Sequence, residues 1–283
     1  MEDYIQRKNF STTINKEMLY SCQDSDPLNK LFEGFPTITL AEMDKVKLMN
    51  RIDTKFLLNF NQLPCLLERA LEHYKIVEIN GEKISPYSSI YWDTEEADMY
   101  CMHHNRRVNR YKIRMRSYLN SDLSFLEIKQ KNNKGRTSKK RIMIDNQQFQ
   151  SLDLDESEQR FIVEKSPYSF DLLKPMLQNF FQRITLVDND ETERITIDID
   201  LAYQTVDSSV VNKVEDLVIV EMKQSGNVHS YFHDYLRDLS ITPRNMSKYC
   251  IGMVLSYPDL KNNRFKNKLR QINKITKKNY DSI

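Results

Sequence analysis

The sequence predicts an α+β protein built from short antiparallel strands, each with one ionic and one apolar face, interleaved with amphipathic helices. The first observation is "YKIRMRSY" from Tyr111, where Lys112, Arg114 and Arg116 alternate with Ile113 and Met115. In a strand, successive side chains point to opposite faces, so this segment carries a cationic face and a mostly apolar one. The second is recurrence. Glu127 and Lys129 oppose Leu126 and Ile128, Glu221 and Lys223 oppose Val220 and Met222, and Arg194, Thr196, Asp198 and Asp200 oppose Ile195, Ile197, Ile199 and Leu201. The third is that segments with helical periodicity separate these runs. Pattern alone leaves two arrangements open. Apolar faces turned inward give a sandwich with a charged surface, whereas apolar faces turned outward under covering helices give a closed barrel with a charged interior.

Taken in order, residues 1 to about 30 are polar and without sustained periodicity, and are expected to form a flexible arm. A helix is expected from Thr39, with Glu42 at capping-box spacing and Leu40, Met43 and Val46 toward one side. "RIDTKFLLNF" reads as a strand and "LPCLLERALEHY" as a helix with Leu63, Leu66, Leu67 and Leu71 on its buried stripe. From Ser88 to Ile144 the chain reads as an antiparallel meander, "SSIYWDT", "RYKIRMRSY", "SFLEIKQK" and "TSKKRIMI", punctuated by "LNSD" and "NNKG". "DLLKPMLQNFF" has helical spacing, "ERITIDIDLAY" and "DLVIVEMKQ" read as strands, "VHSYFHDYLRDLS" as a helix, and "MSKYCIGMVLSY" as a strand or a short helix. The expected organisation is an arm over 1–30, one domain over 31–260, and a basic, helical C-terminal tail over 261–283.

With 42 basic and 40 acidic residues the net charge is only +2, so attraction for an anion must come from local clustering. Four dispersed cysteines, with no CxxC pair, indicate neither a disulfide framework nor a zinc site and point to a reducing compartment. No apolar leader and no uncharged run of about 18 residues occurs, which predicts a protein of the cytoplasm with no transmembrane segment. There are five glycines and no GxxxxGK[ST] or GxGxxG, so phosphates would be held by Arg and Lys side chains, not by a glycine-rich loop. HExxH and GxSxG are also missing, which removes zincin and serine-elbow chemistry.

The ordered set "NRIDTKF", "YWDT" followed by Tyr100, "RYKIRMRSY", "FLEIKQK", "SKKR", "ERITIDIDL", "VIVEMKQ" and "SKYCIGM" resembles the VTC catalytic domain. That domain is the polyphosphate polymerase module of the triphosphate tunnel metalloenzyme superfamily, and the likeness is greatest to its stand-alone prokaryotic branch. It covers roughly Phe35 to Met253. The resemblance implies a closed antiparallel eight-stranded β-barrel, a tunnel with a charged interior and helices packed outside. It implies transfer of the terminal phosphate of ATP onto a growing polyphosphate chain, with Mn2+ or Mg2+ as cofactor.

Carried over residue by residue, the phosphate-binding cations of the family fall on Lys55, Arg114, Arg116, Lys129, Lys139, Arg194 and Lys248, and its metal-binding glutamate on Glu221. Arg51, Lys112, Arg141 and Arg183 are supporting members, with Glu127 and Lys223 beside them on the ionic faces. His103 stands where the eukaryotic relatives carry an arginine. Those relatives also have a sensor domain and membrane helices that do not occur here, so any membrane step would fall to a separate partner. The expected ligands are ATP and polyphosphate or pyrophosphate. Nucleic acid is not expected, because the cationic strand faces show no aromatic residues for base stacking. Two other readings use the same cradle: a tunnel triphosphatase with water as acceptor, and a non-catalytic polyphosphate binder. Arg51-x-Asp53-x-Lys55, with one acid where tunnel hydrolases usually carry ExExK, favours the transferase.

Overall fold

A computed structural model of the chain describes residues 26–43, 51–134, 137–226 and 228–280. Its strands are β1 (Thr37–Thr39), β2 (Arg51–Asn59), β3 (Tyr74–Glu78), β4 (Ser85–Thr94), β5 (Arg110–Tyr118), β6 (Leu123–Lys131), β7 (Thr137–Ile144), β8 (Leu173–Asp188), β9 (Glu193–Thr205), β10 (Val211–Val214) and β11 (Leu217–Ser225). All belong to one sheet whose main path runs β2-β11-β9-β8-β4-β5-β6-β7. Neighbours along that path are antiparallel, and the short β1–β3 pair on the side is parallel.

The sheet is rolled, and charge shows it. β2 and β5 are five steps apart, about 24 Å across a flat sheet. Yet Lys55 on β2 and Lys112 on β5 are close enough that the Lys55 charge helps lower the Lys112 pKa. Register puts Lys55, Arg114, Glu127, Asp198 and Glu221 on the inner face of this roll.

The expected closed eight-stranded barrel does not form. The sheet has eleven strands, and β7 and β2 are its two unjoined ends. A physical cause lies on the β2 edge, where Pro243 bridges to Phe56 and the Arg244 amide donates to the Lys55 carbonyl at 2.7 Å. A β2 edge occupied by this segment is not available to β7 in the same place. Proline, lacking an N–H, is suited to end a sheet there. The other end, β7, is an exposed edge carrying Lys139, Lys140 and Arg141, charges of the kind that discourage further pairing.

Helices cover the outer face in two groups. Leu63–Ala70 and Tyr231–Asp238 bury Leu66, Leu67, Phe232 and Leu236 against Ile195, Ile197, Ile199, Val218 and Val220. Asn146–Ser151 and Glu156–Lys165 place Phe149 and Ile162 over Ile113, Met115, Leu126 and Ile128. The expectation that helices lie only outside is corrected by Lys248–Ser256, which sits on the inner face among Tyr91, Leu177, Phe181, Leu201 and Tyr203. Gly252 permits that approach: a Cβ there would collide with the Tyr203 ring and Leu177. The basic helix Lys266–Thr276 docks Leu269 and Ile272 on the same core, against β2 and β11.

Two other expectations change. "DLLKPMLQNFF" is not a helix but enters the 16-residue strand β8, and the helix begun at Thr39 is described only over Leu40–Met43, Val46 lying outside the described residues. The Thr39–Glu42 capping box is present, with the Thr39 amide donating to Glu42 Oε2 at 2.9 Å. Most of the expected N-terminal arm, residues 1–25, also lies outside the described residues.

Candidate functional site

Strand parity sets which charges meet. Arg114 on β5 stands opposite Glu127 on β6, and Nε and Nη2 of the guanidinium both donate to Glu127 Oε2, at 2.8 and 2.6 Å. Lys139 on β7 pairs with the other oxygen, Oε1. Burial alone would push the Glu127 carboxyl up, but Arg114, Arg116 and Lys139 outweigh it and hold the group well below the usual carboxylate range.

A second cluster joins β8, β9 and the inner helix. Arg183 grips Asp198 bidentately, Nε to Oδ1 at 2.6 Å and Nη2 to Oδ2 at 2.8 Å, and Lys248 Nζ donates to the same Oδ2. Lys248 opens its helix just after the N-cap Ser247, whose hydroxyl accepts the Cys250 amide and also Lys112 Nζ at 3.2 Å. Burial opposes ionisation of Asp198, but Arg183 and Lys248 overcome it and keep the carboxylate charged far into acid.

The third cluster is at Glu221. Lys55 Nζ lies 2.8 Å from its Oε1 and Lys223 Nζ 3.7 Å from its Oε2, and these two cations outweigh burial to keep Glu221 ionised. Burial lowers the Lys223 pKa to about 8, partly offset by Glu221.

Two further cations on this face, Arg116 and Lys129, have no carboxylate within ion-pair distance among the described residues. Arg116 donates from Nε to Ser89 Oγ at 3.1 Å, and its guanidinium lies over Tyr87 and Phe181. Lys129 has Arg114 as its dominant neighbour, whose charge, with burial, lowers its pKa to about 6. His103, on the helix Asp98–His104, is pushed down to about 2 by burial and by Lys112, Arg110 and Lys131, so it is a neutral imidazole. Arg141 is exposed and stacks over Phe125 at 4.5 Å. Arg194 lies opposite Lys223 in the β9–β11 ladder. Arg51 is exposed at the start of β2 and pairs with Asp53.

Of the residues singled out from the sequence, Lys55, Arg114, Arg116, Glu127, Lys129, Lys139, Arg183, Asp198, Glu221, Lys223 and Lys248 thus converge, while Arg51 and Arg141 stand toward its rim. Asp198 was legible as a member of an ionic face but not as the carboxylate that orders Arg183 and Lys248. The absence of aromatics on the cationic faces is corrected. Tyr87 and Tyr91 from β4, Phe181 from β8 and Phe125 from β6 all lie beneath cations. Tyr87, Tyr91 and Phe181 are buried, which closes them to base stacking.

A cavity lined by Tyr111, Gln130, Ser138 and Lys140 lies on the opposite face of β5–β7 and shares none of these groups. Among the described residues no three His, Cys, Asp or Glu side chains gather as a metal-binding group, and no helix is long and apolar enough to cross a membrane.

A rolled sheet whose inner face gathers buried Arg and Lys in excess of carboxylates offers a positive surface suited to compact polyanions. The chain belongs to the VTC domain family, whose model matches residues 50–257, and with it to the enzymes that act on triphosphates. No curated protein matches the chain. Among solved structures it is similar to a candidate adenylyl cyclase from Hippeastrum described as having a dominant triphosphatase activity. That match has 15% identity and a TM-score of 0.48, and covers 73% of this chain and 96% of that one. It is also similar to a candidate adenylate cyclase from Bacillus halodurans, with 13% identity, a TM-score of 0.47, and 70% and 96% of the two chains covered.

Proposed function

We propose that the protein is a metal-dependent polyphosphate polymerase that transfers the terminal phosphoryl group of ATP to a growing polyphosphate chain. The observation that carries this reading is the composition of the inner face. Arg116, Lys112 and Lys129 have no carboxylate within ion-pair distance among the described residues, so they are positioned to hold phosphate oxygens. Phosphoryl transfer asks little covalent chemistry of a protein, and positioning with charge stabilisation dominates. An oxygen of the acceptor's terminal phosphate would form the new bond to the γ-phosphorus while the bond to the β-bridging oxygen breaks and ADP leaves. Arg114 and Arg116 offer planar forks to the charge on the transferring group, and Lys129 and Lys223 act as point charges.

The family implies a divalent cation, and the donor set fits one of limited kind. Glu221 is a single ionised carboxylate beside the cations, and Asp53, the next acid on the neighbouring strand, is taken by Arg51. One carboxylate is too few for a resident ion but suits Mg2+ or Mn2+ brought in by substrate phosphates, which supply further oxygens. Such an ion would neutralise charge on the phosphates, and Lys55 would be released from Glu221 to meet them. The scarcity of acids also favours a phosphate acceptor over activated water. The test is incubation of the pure protein with ATP and Mn2+, followed by electrophoresis. A ladder of chains supports the polymerase, and free phosphate without chains overturns it.

A further inference from the structure

The helix Asp98–His104 ends in a turn that presents charge to solvent. The Arg106 amide donates to the His103 carbonyl at 3.1 Å and the Arg107 amide to the Met102 carbonyl at 2.9 Å, with Arg106 left-handed at φ 57°. This pair of bonds is a Schellman closure, in which glycine is usual at the left-handed position and an apolar residue after it folds back on the helix. Here both positions are arginines, and the next residue, Val108, is 58% exposed. The backbone of the turn is therefore held while Arg106, Arg107 and Val108 stand in solvent. The same corner continues onto the C-terminal helix. His104 Nε2 lies 2.7 Å from Asn263 Oδ1, and burial lowers the Lys268 pKa with Arg106 adding to the effect. Every charged residue from Lys261 to Lys278 is a cation. Lys266, Arg270 and Lys274 form one exposed row at i, i+4 spacing, on the side away from Leu269 and Ile272. Among the described residues none of these exposed arginines and lysines has a carboxylate within ion-pair distance, whereas elsewhere surface cations are paired, as Arg69 is with Asp238 and Lys174 with Glu95. In a chain of net charge +2 this concentration is local.

We infer that this corner is a docking surface for an anionic lipid bilayer, with Arg106, Arg107 and the helix row on headgroup phosphates and Val108 at the level of the upper acyl chains. A face that only meets water needs neither a valine at the crown of a closed turn nor a run of cations without acids. A bilayer asks for no shape-matched groove, offers many phosphates in one plane, and accepts a polybasic stretch together with an apolar tip. An acidic protein would meet the cations but would ask for a broader apolar centre than one valine. The surface lies on the exterior, and its use does not depend on which reaction the inner face performs.

The test is co-sedimentation of the pure protein with vesicles, without nucleotide. Vesicles of phosphatidylcholine with about one-third phosphatidylglycerol should bind the wild type at least about tenfold more tightly than phosphatidylcholine alone, and added salt should weaken that binding. Arg106→Gly/Arg107→Ser, in which glycine suits the left-handed position, should lose roughly tenfold, and Lys266→Ser/Arg270→Ser a similar amount. Val108→Ser should lose about threefold and keep the salt dependence of the wild type, because only apolar contact is gone. A Lys140→Ser/Arg160→Ser variant removes equal charge from another face and should bind as the wild type does. All of these positions are exposed, so the substitutions do not threaten the fold. Inorganic triphosphate, added to fill the inner face, should not release the protein from the vesicles. No preference for the anionic vesicles, unchanged binding in the corner variants, the same loss in the Lys140→Ser/Arg160→Ser variant, or release by triphosphate would overturn the docking surface. Since no turnover is measured, a protein that makes no polymer from ATP fails the polymerase reading without deciding this one.

Discussion

Arg114 and Glu127 form a buried ion pair in which two guanidinium nitrogens share one carboxylate oxygen while Lys139 takes the other. Taking away one partner of such a group leaves charge uncompensated in a poorly solvated place. Glu127→Gln should therefore lower the stability of the ligand-free protein by about 3 kcal/mol, seen as a lower denaturant midpoint at constant m. The pH sign follows from the depressed carboxyl. Its contribution is fully present above the ordinary carboxyl pKa and is lost as pH falls through the lower folded value. The stability difference between wild type and variant should thus shrink on acidification below about pH 4.5. A difference that grows instead would mean the pair does not stabilise the fold.

Lys129 should report the site's charge. Its pKa of about 6 lies far below that of an ordinary lysine, with Arg114 the first cause, so the unfolded chain binds the proton more strongly than the folded one between about pH 6 and 10.5. Stability should therefore rise with pH across that window, and Lys129→Met should flatten the rise. Bound phosphates would restore the charge, so triphosphate binding at pH 7.5 should take up a proton. Calorimetry in buffers of different ionisation enthalpy measures this, and zero uptake would refute the assignment.

Glu193 gives a slope of opposite sign on the outer face. It accepts from Tyr74 Oη at 2.6 Å and Ser230 Oγ at 3.0 Å, and burial raises its pKa to about 7. A raised carboxyl favours the folded state only while protonated, so stability should fall from about pH 4.5 to 7. Glu193→Gln should remove that fall in thermal melts and leave the protein no less stable than wild type at pH 8.

Gly252→Ala should destabilise by about 1–3 kcal/mol, because the added methyl group meets Tyr203 and Leu177 within a closed core. The same variant should weaken triphosphate binding, since its helix carries Lys248 to Asp198. Unchanged binding with lowered stability would separate the helix from the site.

The sequence made the inner face of β5, β6 and β11 readable, because a strand covered on one side by hydrocarbon and on the other by charge alternates strictly. β8 escaped that logic. It is buried on both faces, so Leu173, Met176, Leu177, Phe180 and Phe181 fall at helical spacing without a helix. Alternation in β9 also breaks at Asp200, where φ is 53° and the ladder to β8 shifts register. Leu201 consequently joins the inner core while Ile199 stays with the outer one, a flip that no local pattern announces. Closure was equally illegible, since it depends on what occupies the β2 edge, and Pro243 arrives there from almost 190 residues along the chain.

The unjoined strands have a mechanical consequence. Separating two paired strands means exchanging ladder hydrogen bonds for bonds to water, a cooperative step. Between β7 and β2 no ladder stands among the described residues, so that seam can dilate by elastic bending of the sheet alone. The inner face is thereby compliant in girth along one line and stiff everywhere else. Amide exchange should register the unpaired line as fast exchange of those β7 amides that face away from β6, against slow exchange across β9 and β11.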